Sequence, residues 1–320
     1  KTGHFLKGIF KLKTIDDANN IINYFNELNT ANNNNKKLNI ISYGGSFIST
    51  ELASYFADKA NVTIVSRNKP FEKLFGSLVS NKVIKFHESK GVKFLSNSKI
   101  NISEFKESKE KPGTLGAVKF NDGSKFQVDL CFIAIGAKPS TDFLKNTDLK
   151  LTLDNYIIVD KYMKTNLENV YACGDCVFFP RECLSGFEFT LSKYQKKLDH
   201  VNIAHWGVAC SQGKCAAQSI LKQDDPFSTV PFFWTVHYGK SIRFSGFIEQ
   251  YDKIIFHEDK TKQNEFKFAA LYILDEIVVG VCTLDWDPVC ALFAEAMYNK
   301  INVKQENIEN DPLEIKKLLV

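Results

Sequence analysis

The chain has 320 residues, 44% hydrophobic and 24% charged, and its 41 basic and 37 acidic side chains leave a formal charge of +4. That length supports two or three domains with their own cores, and the dispersed charge gives no support to nucleic-acid binding. No apolar run approaches the roughly 20 residues that cross a bilayer, and the cysteines are scattered among apolar neighbours, which suits a soluble protein in an intracellular, cytoplasmic or mitochondrial, reducing compartment.

Gly8 to Leu12 reads as a short strand, and Thr14 can cap a helix that carries Ile15, Ala18, Ile21, Ile22 and Phe25 on one face. Asn29 to Lys37 is a polar loop. Leu38 to Tyr43 is an apolar strand that turns at Gly44 and Gly45 into a helical pattern from Ser46 to Lys59, followed by the β-branched run Val62 to Val65. After Arg67 a helix is expected from about Ser77 to Lys90, stopped by Gly91, then a strand from Val92 to Leu95. Lys99 to Phe105, Leu115 to Phe120 and Lys125 to Val128 read as an antiparallel excursion, and Asp129 to Gly136 as a buried returning strand. Further on come a hairpin at Leu151 to Asp160, a strand at Val170 to Ala172 ending in Gly174 and Asp175, a polar insertion from Arg181 to Asp199, and a helix from Ala204 to Leu221. From Pro231 the pattern changes to five strands, Phe232 to Tyr238, Ser241 to Phe247, Lys253 to His257, Lys267 to Leu274 and Ile277 to Leu284, closed by a helix from Pro288 to Asn299.

The stretch from Leu38 to Val65 is a strand, a glycine turn, a helix and a strand, the unit that sets a dinucleotide pyrophosphate on a helix N-terminus. Gly44 supplies the tight turn, small Ser46 lets the backbone approach phosphates, and small Ser49 lets the helix pack close to the strand. Serines stand where the strict G-x-G-x-x-G pattern has its later glycines, so an ordinary buried crossover is the competing reading.

Four stretches in order narrow the choice. They are G-G-S-F-I-x-x-E at Gly44, Gly45, Ser46, Phe47, Ile48 and Glu51; D-x-x-x-x-A-I-G-x-x-P at Asp129 to Pro139; T-N-x-x-x-V-Y-A-C-G-D at Thr165 to Asp175; and A-H-W opening the helix at Ala204. Together they resemble the pyridine-nucleotide-dependent FAD reductases. The string Val230 to Gly246 is similar to the apoptosis-inducing-factor-like members, particularly those carrying a Rieske domain.

The resemblance implies an α/β fold: a Rossmann-type NAD(P)-binding domain over residues 15–140, the remainder of an FAD-binding domain over 1–14 and 141–225, and an α+β interface domain over 226–320. It implies that Gly44, Ser46, Ile48, Glu51 and Gly136 hold the nicotinamide nucleotide, and that Gly174, Asp175, His205, Trp206 and Trp234 hold FAD. The implied activity is hydride transfer from NAD(P)H to FAD and single-electron transfer to an iron–sulfur or other acceptor. No metal ligand set is expected, and an oligomer is compatible with the sequence. An acidic residue commonly ends the second strand of such a unit, but here Arg67 does, which favours NADPH because a guanidinium pairs with a 2′-phosphate that a carboxylate repels.

The first glycine-rich motif, which holds the ADP half of FAD in that family, is not in this sequence. Two explanations follow, a fragment of a longer reductase or a shortened protein that no longer holds flavin well, and the intact second flavin motif favours the fragment. A rival is a nucleotide-binding regulatory or interaction protein without reductase activity. A second rival is a dithiol reductase using Cys173 and Cys176 of the C-G-D-C tetrad. The remaining histidines, His87 and His237 among them, have no motif context and are expected to be solvated or structural.

Overall fold

Alternate residues of one strand, Ile40 and Ile41, enter two different hydrophobic clusters, as the two-residue period of a sheet covered on both faces requires. The computed structural model describes residues 2–32, 36–186, 200–223, 225–259 and 266–319. Two compact units result, Lys1–Gly136 with Thr235–Lys240, and Ala137–Trp234 with Ser241–Val320.

The first unit is built on β1 (Ile9–Phe10), β2 (Leu38–Tyr43), β3 (Ala60–Ser66), β4 (Lys93–Ser96) and β8 (Leu130–Ile133), preceded in the chain by the antiparallel set β5 (Ile102–Glu107), β6 (Leu115–Phe120) and β7 (Lys125–Gln127). The five-stranded sheet runs β1-β8-β2-β3-β4 with every pairing parallel. One face carries α1 (Ile15–Ala31) and α2 (Phe47–Phe56), whose Ile21, Phe25, Leu52 and Phe56 pack on Ile40, Ile64 and Leu130. The other face carries the antiparallel sheet through Ile102, Val118 and Phe120 against Ile41, Val65 and Cys131. Successive crossovers lead from β2 to β3 and β4 on one side, while β8 returns on the other. The order of strands therefore reverses beside β2, and the crevice at its carboxyl end is where open α/β sheets bind ligands.

Local signals hold with three adjustments. Thr14 caps α1 in a full capping box with Asp17, and the helix runs to Ala31, inside the expected loop; Asn33 to Asn35 lie outside the described residues. The helix α3 (Glu72–Glu88) begins before Ser77, because Phe71 and Gly76 both take positive φ, at 62° and 77°, and a short first segment precedes the kink. The run from Asp129 to Gly136 is a strand only over Leu130–Ile133.

The second unit holds β9 (Ile157–Ile158), β10 (Val177–Pro180) and β11 (His200–Val201), with β10 parallel to β9 and antiparallel to β11. Here the sequence reading fails locally. Val170 to Ala172 is not a strand but a single bridge from Tyr171 to Lys164. The strand follows Asp175 instead of preceding it, so Gly174 and Asp175 form the turn into β10. The expected hairpin at Leu151 to Asp160 keeps one antiparallel bridge, Leu151 to Ile157, and its turn residue Asn155 has φ of 64°. Of the insertion expected from Arg181 to Asp199, residues 187–199 lie outside the described residues.

The helix α4 (Trp206–Ile220) follows, then β12 (Phe232–His237), β13 (Lys240–Gly246), β14 (Lys253–Glu258), β15 (Phe268–Leu274) and β16 (Ile277–Leu284) in the order β12-β13-β16-β15-β14. The interior strand β15, between β16 and β14, is buried along its whole length, and α5 (Val289–Tyr298) buries Val289, Cys290 and Phe293. The last residues of β12 and the turn into β13, Thr235–Lys240, belong to the first unit. Among the described residues no helix is long and apolar enough to cross a membrane, and no cluster of three or more potential metal ligands occurs.

Candidate functional site

A cleft of about 610 Å³ opens at the carboxyl ends of β2, β3 and β8 in the first unit. Of the residues singled out in the sequence, Gly44, Gly45, Ser46, Phe47, Arg67 and Gly136 all line it. Gly44 has φ of 129°, and a Cβ there would lie 2.0 Å from the Ala134 carbonyl oxygen, so only glycine lets the β2 turn pass the end of β8. Ser49 is fully buried and accepts a hydrogen bond from Ser42 at 3.0 Å, joining α2 to β2.

Ser46 is the N-cap of α2, yet its hydroxyl caps no backbone N–H and instead donates to the Ala134 carbonyl at 3.1 Å. The first turn of α2 has no acidic residue, which leaves its amide donors and the helix dipole for an anion. The rim adds Arg67, Lys69 and Lys73, and among the described residues no carboxylate lines the cleft. Lys69 and Lys73 were not singled out from the sequence; their spacing just after Arg67 was the available signal. Lys69 also donates to Asn81 at 2.9 Å. The uncapped helix start and three cations fit a polyanion such as a dinucleotide.

Ile48, 38% exposed, and Glu51 stand further along α2 and do not line this cleft. The exposed Glu51 accepts a hydrogen bond from the Thr235 hydroxyl. Behind Thr235 lie His237 and His87, both fully buried, so neither is solvated. Burial lowers the His87 pKa to about 3, with the neighbouring His237 adding to it, and lowers that of His237 to about 4. Both are neutral imidazoles at neutral pH.

In the second unit, Gly174 takes φ of 89° and its N–H donates to the buried Gln212 side chain at 2.8 Å, fixing the turn to α4. Gln212 is a residue the sequence reading missed, because a buried amide on a small-residue helix carries no motif. Asp175 is exposed at the turn, and its carbonyl accepts from Asn202 at 3.0 Å. His205 caps α4, its Nδ1 accepting from the Gly207 N–H at 3.3 Å. Burial depresses its pKa, opposed by the Asp175 charge.

Phe233 packs against His205 with centroids 5.6 Å apart, while its neighbour Trp234 is 57% exposed, as strand alternation dictates. Trp206 is 76% exposed. Trp206 opens α4 next to the His205 on which the Asp175 charge acts, and Trp234 follows the Phe233 that packs on His205; the two exposed indoles and the helix N-terminus fit a flat aromatic ligand with polar substituents. All eight cysteines are free thiols. Burial raises the Cys176 pKa, with Cys173 and Asp175 adding to it, the reverse of what an attacking thiolate needs.

A family model described as "Pyridine nucleotide-disulphide oxidoreductase" matches residues 3–213. The chain is 30% identical over 309 residues to apoptosis-inducing factor 3 of Homo sapiens, covering 96% of this chain and 46% of that one. It is 26% identical over 255 residues to the rubredoxin-NAD(+) reductase of Pseudomonas putida, covering 79% and 59%. The chain thus spans about half the length of the curated relatives it matches. Among solved structures, it is similar to the covalent putidaredoxin reductase–putidaredoxin complex, with a TM-score of 0.83 at 19% identity over 99% of this chain and 69% of that one. A ferredoxin reductase from Rhodopseudomonas palustris gives 0.84 at 16% over 100% and 72%. These two establish the likeness of fold.

Proposed function

Since the chain belongs to the pyridine nucleotide-disulphide oxidoreductase family, we propose that it serves hydride transfer from NADPH to FAD, with electrons then passing singly to an iron–sulfur protein. The observation that carries this reading is the cation-rimmed cleft at the uncapped start of α2. Gly44, Gly45, Ser46 and Phe47 hold the pyrophosphate, Gly136 borders it from β8, and Ile48 and Glu51 face the nicotinamide end. In the second unit, Gly174 and Asp175 hold the flavin chain, His205 and the α4 N-terminus favour negative charge on the ring, and Trp206 and Trp234 cover apolar ring surface.

Bound FAD supplies the hydride acceptor and the conversion to one-electron chemistry. The side chains themselves orient the rings and exclude water, and no acid or base is needed for the hydride step. Relatives named for rubredoxin and ferredoxin reduction, and for a complex with putidaredoxin, support an iron–sulfur acceptor. The free thiols support a reducing compartment.

NADPH is preferred because Arg67, Lys69 and Lys73 ring the place where a 2′-phosphate belongs. Replacing Arg67 by glutamate is expected to weaken NADPH binding about tenfold to a hundredfold while sparing NADH, since one charge-assisted contact contributes roughly 1.5–3 kcal/mol. Fluorescence titration of both nucleotides reads this directly, and equal losses for the two would defeat the assignment.

The reading as a whole is tested by adding FAD to the purified chain. Bound flavin that bleaches with NADPH is expected, and Asp175→Ala should weaken flavin binding about tenfold or more. Nucleotide binding without any flavin uptake would instead favour a binding module without reductase activity.

A further inference from the structure

A continuous line of hydrogen bonds leads from Glu51 into the interior of the first unit and out again. The Thr235 hydroxyl lies 2.5 Å from Glu51 Oε1 and 3.3 Å from His237 Nε2. His237 Nδ1 lies 3.2 Å from His87 Nε2, and His87 Nδ1 lies 2.8 Å from the Tyr238 hydroxyl. Thr235, His87 and His237 are buried, whereas Tyr238 is partly exposed and lines a surface pocket of about 440 Å³ with Ser54, Asp58, Lys59 and Lys90.

The direction of every proton in this line follows from one end. A carboxylate only accepts, so Thr235 donates to Glu51 and must itself accept from His237 Nε2–H. His237 Nδ1 is then bare and accepts from His87 Nε2–H, and His87 Nδ1 accepts from the Tyr238 hydroxyl. The Thr235 O–H and both imidazole N–H groups each then have an acceptor in the line, and both ring Nδ1 atoms a donor. The walls are apolar or aromatic: Phe71 stacks on His237, and Phe86 and Phe94 meet His87 edge-on. At the outer end the Lys90 ammonium lies 5.9 Å from the Tyr238 ring centre, and Asp58 and Lys59 line the same pocket.

We propose that Tyr238, His87, His237 and Thr235 form a proton relay through which the Glu51 carboxyl exchanges a proton with solvent while a nucleotide covers its exposed side. This rests on the reading of Glu51 as the nicotinamide-end residue. Oxidation of a nicotinamide dinucleotide by one-electron acceptors leaves one proton behind, so a covered site needs a way out for it. The resting array carries a proton inward, from water through Tyr238 to Glu51, and this inward shift leaves both imidazoles as Nδ1–H tautomers with the Glu51 carboxyl as donor. The outward shift starts from that reversed array: the Glu51 carboxyl O–H passes its proton to Thr235, whose own proton moves to His237 Nε2. The Nδ1 proton of His237 moves to His87 Nε2, that of His87 Nδ1 to the Tyr238 oxygen, and the Tyr238 proton to water. One proton leaves Glu51, one appears in solvent, no electron moves, and the array is left in the resting direction derived above. The reverse shift returns a proton by the same route.

The test is nuclear magnetic resonance of the full chain with isotope-labelled histidine at neutral pH, free and with NADPH. Both imidazoles are expected as Nε2–H tautomers. Thr235→Val removes the acceptor for His237 and should flip both rings to Nδ1–H, whereas Thr235→Ser and Tyr238→Phe should flip neither. Tyr238→Phe closes the outer end and should slow solvent exchange of both ring N–H protons by about a hundredfold, the low end of what a positioned acid–base group contributes to proton transfer. An Nδ1–H tautomer at either ring of the unmutated chain, or ring exchange unchanged in Tyr238→Phe, overturns the relay. NADPH titration of the same samples is separate: failure to bind defeats the nucleotide reading and leaves the tautomer result as it stands.

Discussion

Gly44→Ala is expected to lose nucleotide binding and to lower the stability of the first unit by about 3–5 kcal/mol, combining a strained positive φ with a methyl forced into backbone. The added carbon would lie 2.0 Å from the Ala134 oxygen and 2.6 Å from its carbonyl carbon. Neither atom is the movable end of a side chain, so either β2 or β8 must shift. The two strands are in register from Ile40 opposite Leu130 to Tyr43 opposite Ile133, and a shift at the turn propagates into that ladder. Thermal unfolding should move down by roughly 10 °C. Gly136→Ala is the control. It also has positive φ, at 94°, but its methyl would meet nothing within 4 Å, so a loss of only about 1 kcal/mol is expected. Equal stabilities for the two variants would refute the close approach of the β2 turn to β8.

Acid should unfold the first unit by way of its buried histidine pair. His87 and His237 have pKa values lowered to about 3 and about 4 from an ordinary 6.5. The unfolded chain therefore takes up protons below pH 6.5 that the folded chain refuses. The pair's contribution is fully present above that pH, and it is lost as pH falls through the window towards 4. Between about pH 7 and about pH 5 the loss should reach roughly 3–4 kcal/mol, the two groups together. Urea unfolding across that range measures it. His87→Gln should cut the pH slope by about half; an unchanged slope would mean that other groups govern acid stability.

Legibility followed the length scale of each signal. The nucleotide unit was readable because β2, the Gly44 turn and α2 are contiguous and their periodicities differ. The C-terminal sheet was readable because β12 to β16 are contiguous runs rich in β-branched and aromatic residues. The turn at Gly174 was found, but its strand was placed on the wrong side. Val170 to Ala172 and Val177 to Phe179 are both short β-branched and aromatic runs, and the pairing with Ile157 and Ile158 decides between them. The relay residues were invisible for a different reason. His87 and His237 are 150 positions apart, and nothing local distinguishes a histidine that meets another across the fold from one in solvent. Trp234 was ambiguous until strand alternation set Phe233 half-buried on the face of Thr235 and His237 and left the indole exposed on the other.

Assignment of Thr235–Lys240 to the first unit has a consequence for synthesis on the ribosome. The last stretch of that unit is translated about a hundred residues after Gly136, a delay of roughly 5–20 s at ordinary elongation rates. Throughout that interval the nascent nucleotide fold lacks the imidazole and phenol that meet His87, and it must wait with an unfilled polar seam. Its interior is therefore completed only when Tyr238 emerges.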